Sequence, residues 1–136
     1  MDVRGCRAVL GALVPSFNTV VQPELDDLRP SGVTNQVGRF LFDANLLQNV
    51  RDEAKKLATA HPAALIVGLA TDGIRGGLAV LEQSARDLES ENGTPTFTAS
   101  HATHEALRVL GARWIGLVTP FGSRSSLATR QSTGRR

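Results

Sequence analysis

Short apolar runs of strand type alternate with amphipathic stretches along most of the chain. Arg7 to Val14 is a continuous apolar run closed by Pro15 and Ser16, which reads as a strand buried on both faces. Asn18 is a suitable helix N-cap, and Thr19 to Leu28 carries Glu24, Asp26 and Asp27 on its polar side, with Pro23 near the first turn. Arg29-Pro30-Ser31-Gly32 is a turn, and Val33 to Phe42 alternates moderately, as a strand. Leu46, Leu47, Val50, Ala54, Leu57 and Ala58 then recur at helical spacing, which predicts a helix from about Ala44 to Ala60, stopped by His61-Pro62.

The alternation continues. Ala63 to Ala70 is a second buried-type strand that exits at Thr71-Asp72-Gly73, and a helical pattern covers about Leu78 to Glu89. Asn92-Gly93 turns the chain into a short strand, Thr94 to Thr98. Ser100 is the expected cap of a helix reaching Leu110, with Gly111 at C′, and Trp114 to Val118 is the core of a fifth strand spanning 113–119. Strand alternating with helix predicts a three-layer α/β fold, with a parallel sheet of about four strands plus the fifth. In such sheets ligands gather at the carboxyl ends of the strands, which directs attention to Pro15–Thr19, Ala70–Gly73, Thr98–His101 and Thr119–Phe121.

Composition narrows the function. With 41% hydrophobic and 21% charged residues among 136, the chain is of globular type, about one domain in size, and no apolar run is long enough to span a bilayer. Four arginines and no acid in 122–136 account for more than the whole net charge of +2, so the rest is mildly acidic. That tail is expected to be disordered, and a basic end on an acidic body does not predict nucleic-acid binding. One cysteine, Cys6, excludes an internal disulfide and reads as a buried or incidental thiol; with no secretory signal at the N-terminus, the expected location is the cytoplasm. His101 and Glu105 stand one helical turn apart as a solvated pair, and the sequence identifies no third ligand for a metal. No phosphate-cradling glycine motif occurs.

Two segments retain more than one reading. Ser16 and Asn18 supply a hydroxyl and an amide beside a helix N-terminus, suited to a carboxylate, but the same residues are favoured as plain turn and cap. Thr71 can donate to an anion, and Asp72 can cap a helix or serve as a base.

The ordered series Gly11-Ala-Leu-Val-Pro-Ser-Phe-Asn-Thr-Val-Val-Gln-Pro-Glu24, Ile66-Val-Gly-Leu-Ala-Thr71 and Ala106-Leu-Arg-Val-Leu-Gly-Ala-Arg-Trp-Ile-Gly-Leu-Val-Thr-Pro-Phe121 resembles the maleate cis-trans isomerase family. That family belongs with the arylmalonate decarboxylases in the aspartate/glutamate racemase superfamily. The resemblance covers residues 7 to 121 and corresponds to about the first half of a two-lobed enzyme with its site in the cleft between lobes. It implies residues 1–121 as a first lobe, with the fifth strand belonging to the second.

It also implies cofactor-free isomerisation, decarboxylation or racemisation of a small carboxylate or dicarboxylate, driven in the isomerases by a thiolate at the end of a first-lobe strand. By motif, Pro15, Ser16 and Asn18 hold one carboxylate, while Ala70, Thr71 and Asp72, with Phe121, line the place of the second. Ala70 stands where the isomerases carry the first-lobe cysteine, and Phe121 lacks the hydroxyl of the tyrosine frequent there. No catalytic residue is therefore assigned. The chain is expected to be truncated and incompetent alone, with a homo-oligomer through the exposed fifth strand as one outcome. The alternative is a non-catalytic remnant or a carboxylate-binding or interaction module.

Overall fold

The computed structural model describes residues 4–69 and 77–116. Among them, strands and helices alternate in chain order: β1 (Ala8–Pro15), α1 (Val21–Leu28), β2 (Val33–Phe40), α2 (Leu46–Ala58), β3 (Ala64–Val67), α3 (Gly77–Asn92), β4 (Thr96–Thr98) and α4 (Ala99–Val109). The four strands form one parallel sheet in the order β2-β1-β3-β4. The chain thus leaves β1 to one side for β2 and returns past it to β3, which makes the β1/β3 boundary the topological switch point.

Period-two alternation sorts the two faces. Leu13, Phe40, Leu65, Val67 and Leu69 belong to the buried core with Leu46, Val50, Ala54 and Leu57 of α2 and Leu81 and Leu88 of α3. Close approach of α2 to the sheet depends on Gly11, where an added Cβ would stand 2.6 Å from a Leu65 methyl and 3.5 Å from Leu57. Val14 points to the opposite face: a Cβ on Gly68 would meet it and Val21 of α1. Helices therefore flank both faces, as a three-layer α/β fold requires.

Several boundaries differ from expectation for local reasons. α4 is capped by Thr98, whose extended backbone (φ −103°, ψ 154°) lets Oγ1 accept the His101 N–H at 3.1 Å, so Ser100 lies inside the first turn. Gly111 does adopt a left-handed φ of 62° just past that helix, as its C′ position demands. Cys6 is exposed rather than buried. Glu105 pairs with Arg108 at 2.9 Å instead of with His101. The expected fifth strand is not confirmed: among the described residues Arg113–Gly116 pairs with no strand, and Trp114 is 94% exposed. Residues 117–119 and the tail 122–136 lie outside the described residues. Among the described residues, no helix is long and apolar enough to cross a membrane.

Candidate functional site at the carboxyl edge of the sheet

The turn after β1 is built around Asn18. Its N–H donates to Pro15 O at 2.9 Å, and its Oδ1 accepts the N–H groups of Val20 (3.0 Å) and Val21 (2.9 Å). Asn18 Oδ1 therefore holds the N–H groups of the N-cap residue, Val20, and of the first helical residue, Val21, so α1 begins two residues later than a cap at Asn18 would place it. The amide cannot flip without breaking both bonds, which fixes Nδ2 as the outward group.

Neighbouring strands hold the turn from the side. Ser16 N–H donates to Phe40 O at 2.8 Å, continuing the β1–β2 ladder by one residue. Arg39, on the α1 face of β2, reaches across: Nη1 donates to Asn18 O at 2.7 Å and Ser16 O at 3.4 Å, and Nη2 donates to Gln22 Oε1 at 2.9 Å. Phe17 and Phe42, from the β1 and β2 exits, meet edge to face with centroids 6.0 Å apart, and both remain exposed.

Several donors of the turn remain unengaged. No described residue occupies the N–H groups of Phe17 and Thr19, the Nδ2 of Asn18 or the hydroxyl of Ser16. Backbone N–H groups, a carboxamide N–H and a hydroxyl at the start of a helix are the kind of donors that suit an anion, and the helix dipole adds to their field. Pro15 is buried and closes the strand beneath them.

Of the residues singled out from the sequence, Pro15, Ser16 and Asn18 are brought together here. Ala70, Thr71, Asp72 and Phe121 lie outside the described residues. The strand leading to the first three of these is described: Gly68 N–H donates to Leu13 O at 2.8 Å, so the exit of β3 runs beside that of β1 at the same edge. Thr98 and His101, at the β4 exit, line a separate groove of about 340 Å³ with Glu82, Arg86 and Glu89 of α3. Among the described residues no group of three or more His, Cys, Asp or Glu side chains is placed to hold a metal. Lys56, held above its ordinary pKa by the Glu53 carboxylate beside it, sits in the last turn of α2 and is not part of this edge.

Sequence reasoning missed Arg39 and the aromatic pair. In the strand pattern Arg39 is simply a polar position on a half-covered face, and its partners lie 17 to 23 residues away. Phe42 follows a strand end, where an exposed aromatic carries no periodic signal.

No family model matches the sequence, and no curated protein does so. Solved structures do match. The chain superposes on an unliganded arylmalonate decarboxylase with a TM-score of 0.74 at 22% identity, covering 92% of this chain and 59% of that one. It superposes on the maleate isomerase Iso of Pseudomonas putida S16 at 0.76 and 20% identity, covering 93% and 58%. The Nocardia farcinica maleate cis-trans isomerase bound to TRIS gives 0.70 at 19%, covering 93% and 59%. These likenesses establish the fold, and the chain spans somewhat under three fifths of the length of each of those structures.

Proposed function

We propose that this chain supplies the carboxylate-binding part of a cofactor-independent site for small carboxylates and dicarboxylates, of the kind used by maleate isomerase and arylmalonate decarboxylase. One observation carries the reading: Asn18 Oδ1 and the carbonyls of Ser16 and Asn18 are engaged, while the Phe17 and Thr19 N–H groups, Asn18 Nδ2 and the Ser16 hydroxyl have no partner among the described residues. Asn18 Oδ1 goes to the helix and the carbonyls of Ser16 and Asn18 go to Arg39, leaving N–H and O–H groups for an anion. A carboxylate settles against Ser16, Asn18 and the adjoining amides. Ala70, Thr71 and Asp72 after β3, with Phe121, belong to the second carboxylate's place in the same proposal.

The chain by itself, in this reading, does not turn such substrates over. Covalent isomerisation needs a thiolate at the carboxyl edge. The sequence's one cysteine, Cys6, stands instead before the amino end of β1, with its sulfur 3.1 Å from where a Cβ on Gly32 would lie. Ala70 offers only a methyl group. An exposed unpaired thiol suits a reducing compartment, so a cytoplasmic setting is part of the proposal. The test is to offer the purified chain maleate, phenylmalonate and aspartate in D2O and follow each by proton NMR, racemisation appearing as loss of the aspartate α-proton signal to deuterium. Rates equal to the uncatalysed control are expected; turnover lost in Asn18→Ala would overturn the claim of incompetence.

A second reading, a non-catalytic binding or interaction module, is favoured by α4. This helix buries no residue, and Val109, Leu110 and the following Trp114 are largely exposed. Self-association through that segment is its natural form, with sedimentation velocity as the check.

A further inference from the structure

We propose that Arg39 is a positioning residue that creates the anion receptor by fixing two peptide planes; the inference rests on the carboxylate-binding reading above. In a trans peptide the C=O and the N–H of the next residue lie in one plane and point in opposite directions. No described peptide bond is cis. The carbonyls of Ser16 and Asn18 both accept from Arg39 Nη1, at 3.4 and 2.7 Å. Drawing those two oxygens toward one guanidinium turns the N–H groups of Phe17 and Thr19 away from it. These are the two backbone donors in the turn that no described residue occupies.

The alternating arrangement matters. Ser16 N–H and Asn18 N–H are spent on Phe40 O and Pro15 O, so the intervening peptides are the ones free to rotate. An unrestrained Ser16–Phe17 or Asn18–Thr19 plane could present its carbonyl to the open edge, and a carbonyl facing a carboxylate repels it. Arg39 removes that alternative. Its own placement is fixed by Nη2, which donates to Gln22 Oε1 in the first turn of α1. The fork therefore ties the turn, the helix start and β2 into one unit, a task that needs several N–H groups in a planar array.

Lysine separates this role from a simple charge effect. Arg39→Lys keeps the positive charge but replaces the fork with one compact ammonium that cannot hold the same three acceptors in the same geometry. If Arg39 acted only by attracting anions, Arg39→Lys would bind like the wild type.

The experiment is an amide NMR titration of wild type, Arg39→Lys and Arg39→Met with sodium malonate, with hydrogen exchange measured on the free proteins. In the wild type, malonate is expected to shift the Phe17 and Thr19 amides. Both variants are expected to keep the dispersed β1 and β3 signals, to exchange the Asn18, Val20 and Val21 amides faster, and to bind malonate about tenfold or more weakly, as loss of hydrogen bonds to a charged donor predicts. Malonate binding by Arg39→Lys within twofold of wild type would overturn the positioning role and leave the carboxylate site standing. Absence of any malonate response at Phe17 and Thr19 in the wild type would overturn the carboxylate reading and this inference with it. Faster exchange in the variants would then mark the fork as a purely structural clamp.

Discussion

Asn18 Oδ1 lies 2.9 Å from the Val21 N–H, and that bond decides which half of the carboxamide is left for a ligand. The two readings of Asn18, cap and carboxylate contact, are compatible because they use different atoms. Asn18→Asp separates them. A carboxylate still accepts from the Val20 and Val21 N–H groups beside the positive helix end. It cannot donate, and its charge repels an anion. Asn18→Asp is expected to match wild-type thermal stability within about 0.5 kcal/mol while losing malonate binding, whereas Asn18→Ala loses binding and about 1 kcal/mol of stability. Calorimetry with the titration checks both; an Asp variant that binds as well as wild type would remove Asn18 from the site.

Thr98 makes the corresponding statement at β4. Its side chain is buried and its Oγ1 accepts the His101 N–H at 3.1 Å. Thr98→Ala is expected to cost about 1 kcal/mol, while Thr98→Ser recovers most of it and Ser100→Ala changes little, because Ser100 is not the cap. Urea unfolding of the three variants distinguishes them.

At the switch point, space is the constraint. A Cβ on Gly68 would stand 3.3 Å from both Leu13 O and Val14 Cγ1, and the first of these is backbone that cannot swing aside. Gly68→Val is expected to destabilise by about 1–3 kcal/mol through overpacking and to disturb the β1 exit, with Gly68→Ala milder. Equal stability of Gly68→Val and wild type would mean that β1 and α1 have more room than the structure gives them.

How much of this was legible beforehand follows from the kind of signal each feature leaves. Strand and helix order could be read because buried runs such as Leu65 to Val67 and the Leu46/Val50/Ala54/Leu57 stripe repeat with the period of their element. That Asn18 turns the chain into α1 could be read because such bonds are local, although the N-cap itself is Val20. Arg39 could not, since its role depends on which strand lies beside β1, a matter of topology rather than pattern. The fifth strand was anticipated from apolar content alone, yet Arg113–Gly116 finds no partner among the described residues.

Trp114 tests what covers that segment. At 94% exposure in the single chain it should emit at long wavelength and be quenched freely by acrylamide at low concentration. If α4 and Trp114 form a contact between two copies, emission should shift to shorter wavelength as concentration rises, in step with sedimentation. A shielded Trp114 at all concentrations in a monomer would contradict the exposed arrangement.

The central claim is that the turn after β1, at the β1/β3 boundary, receives a carboxylate. An amide NMR map of the wild-type chain titrated with maleate and malonate tests it most directly. Perturbations are expected to concentrate at Phe17, Asn18, Thr19 and Val20 and to spread to Gly68 and Leu69, with Arg7 and Gly32 at the opposite edge unmoved. Perturbations confined to the groove between α3 and α4, or none at the turn at millimolar ligand, would contradict it.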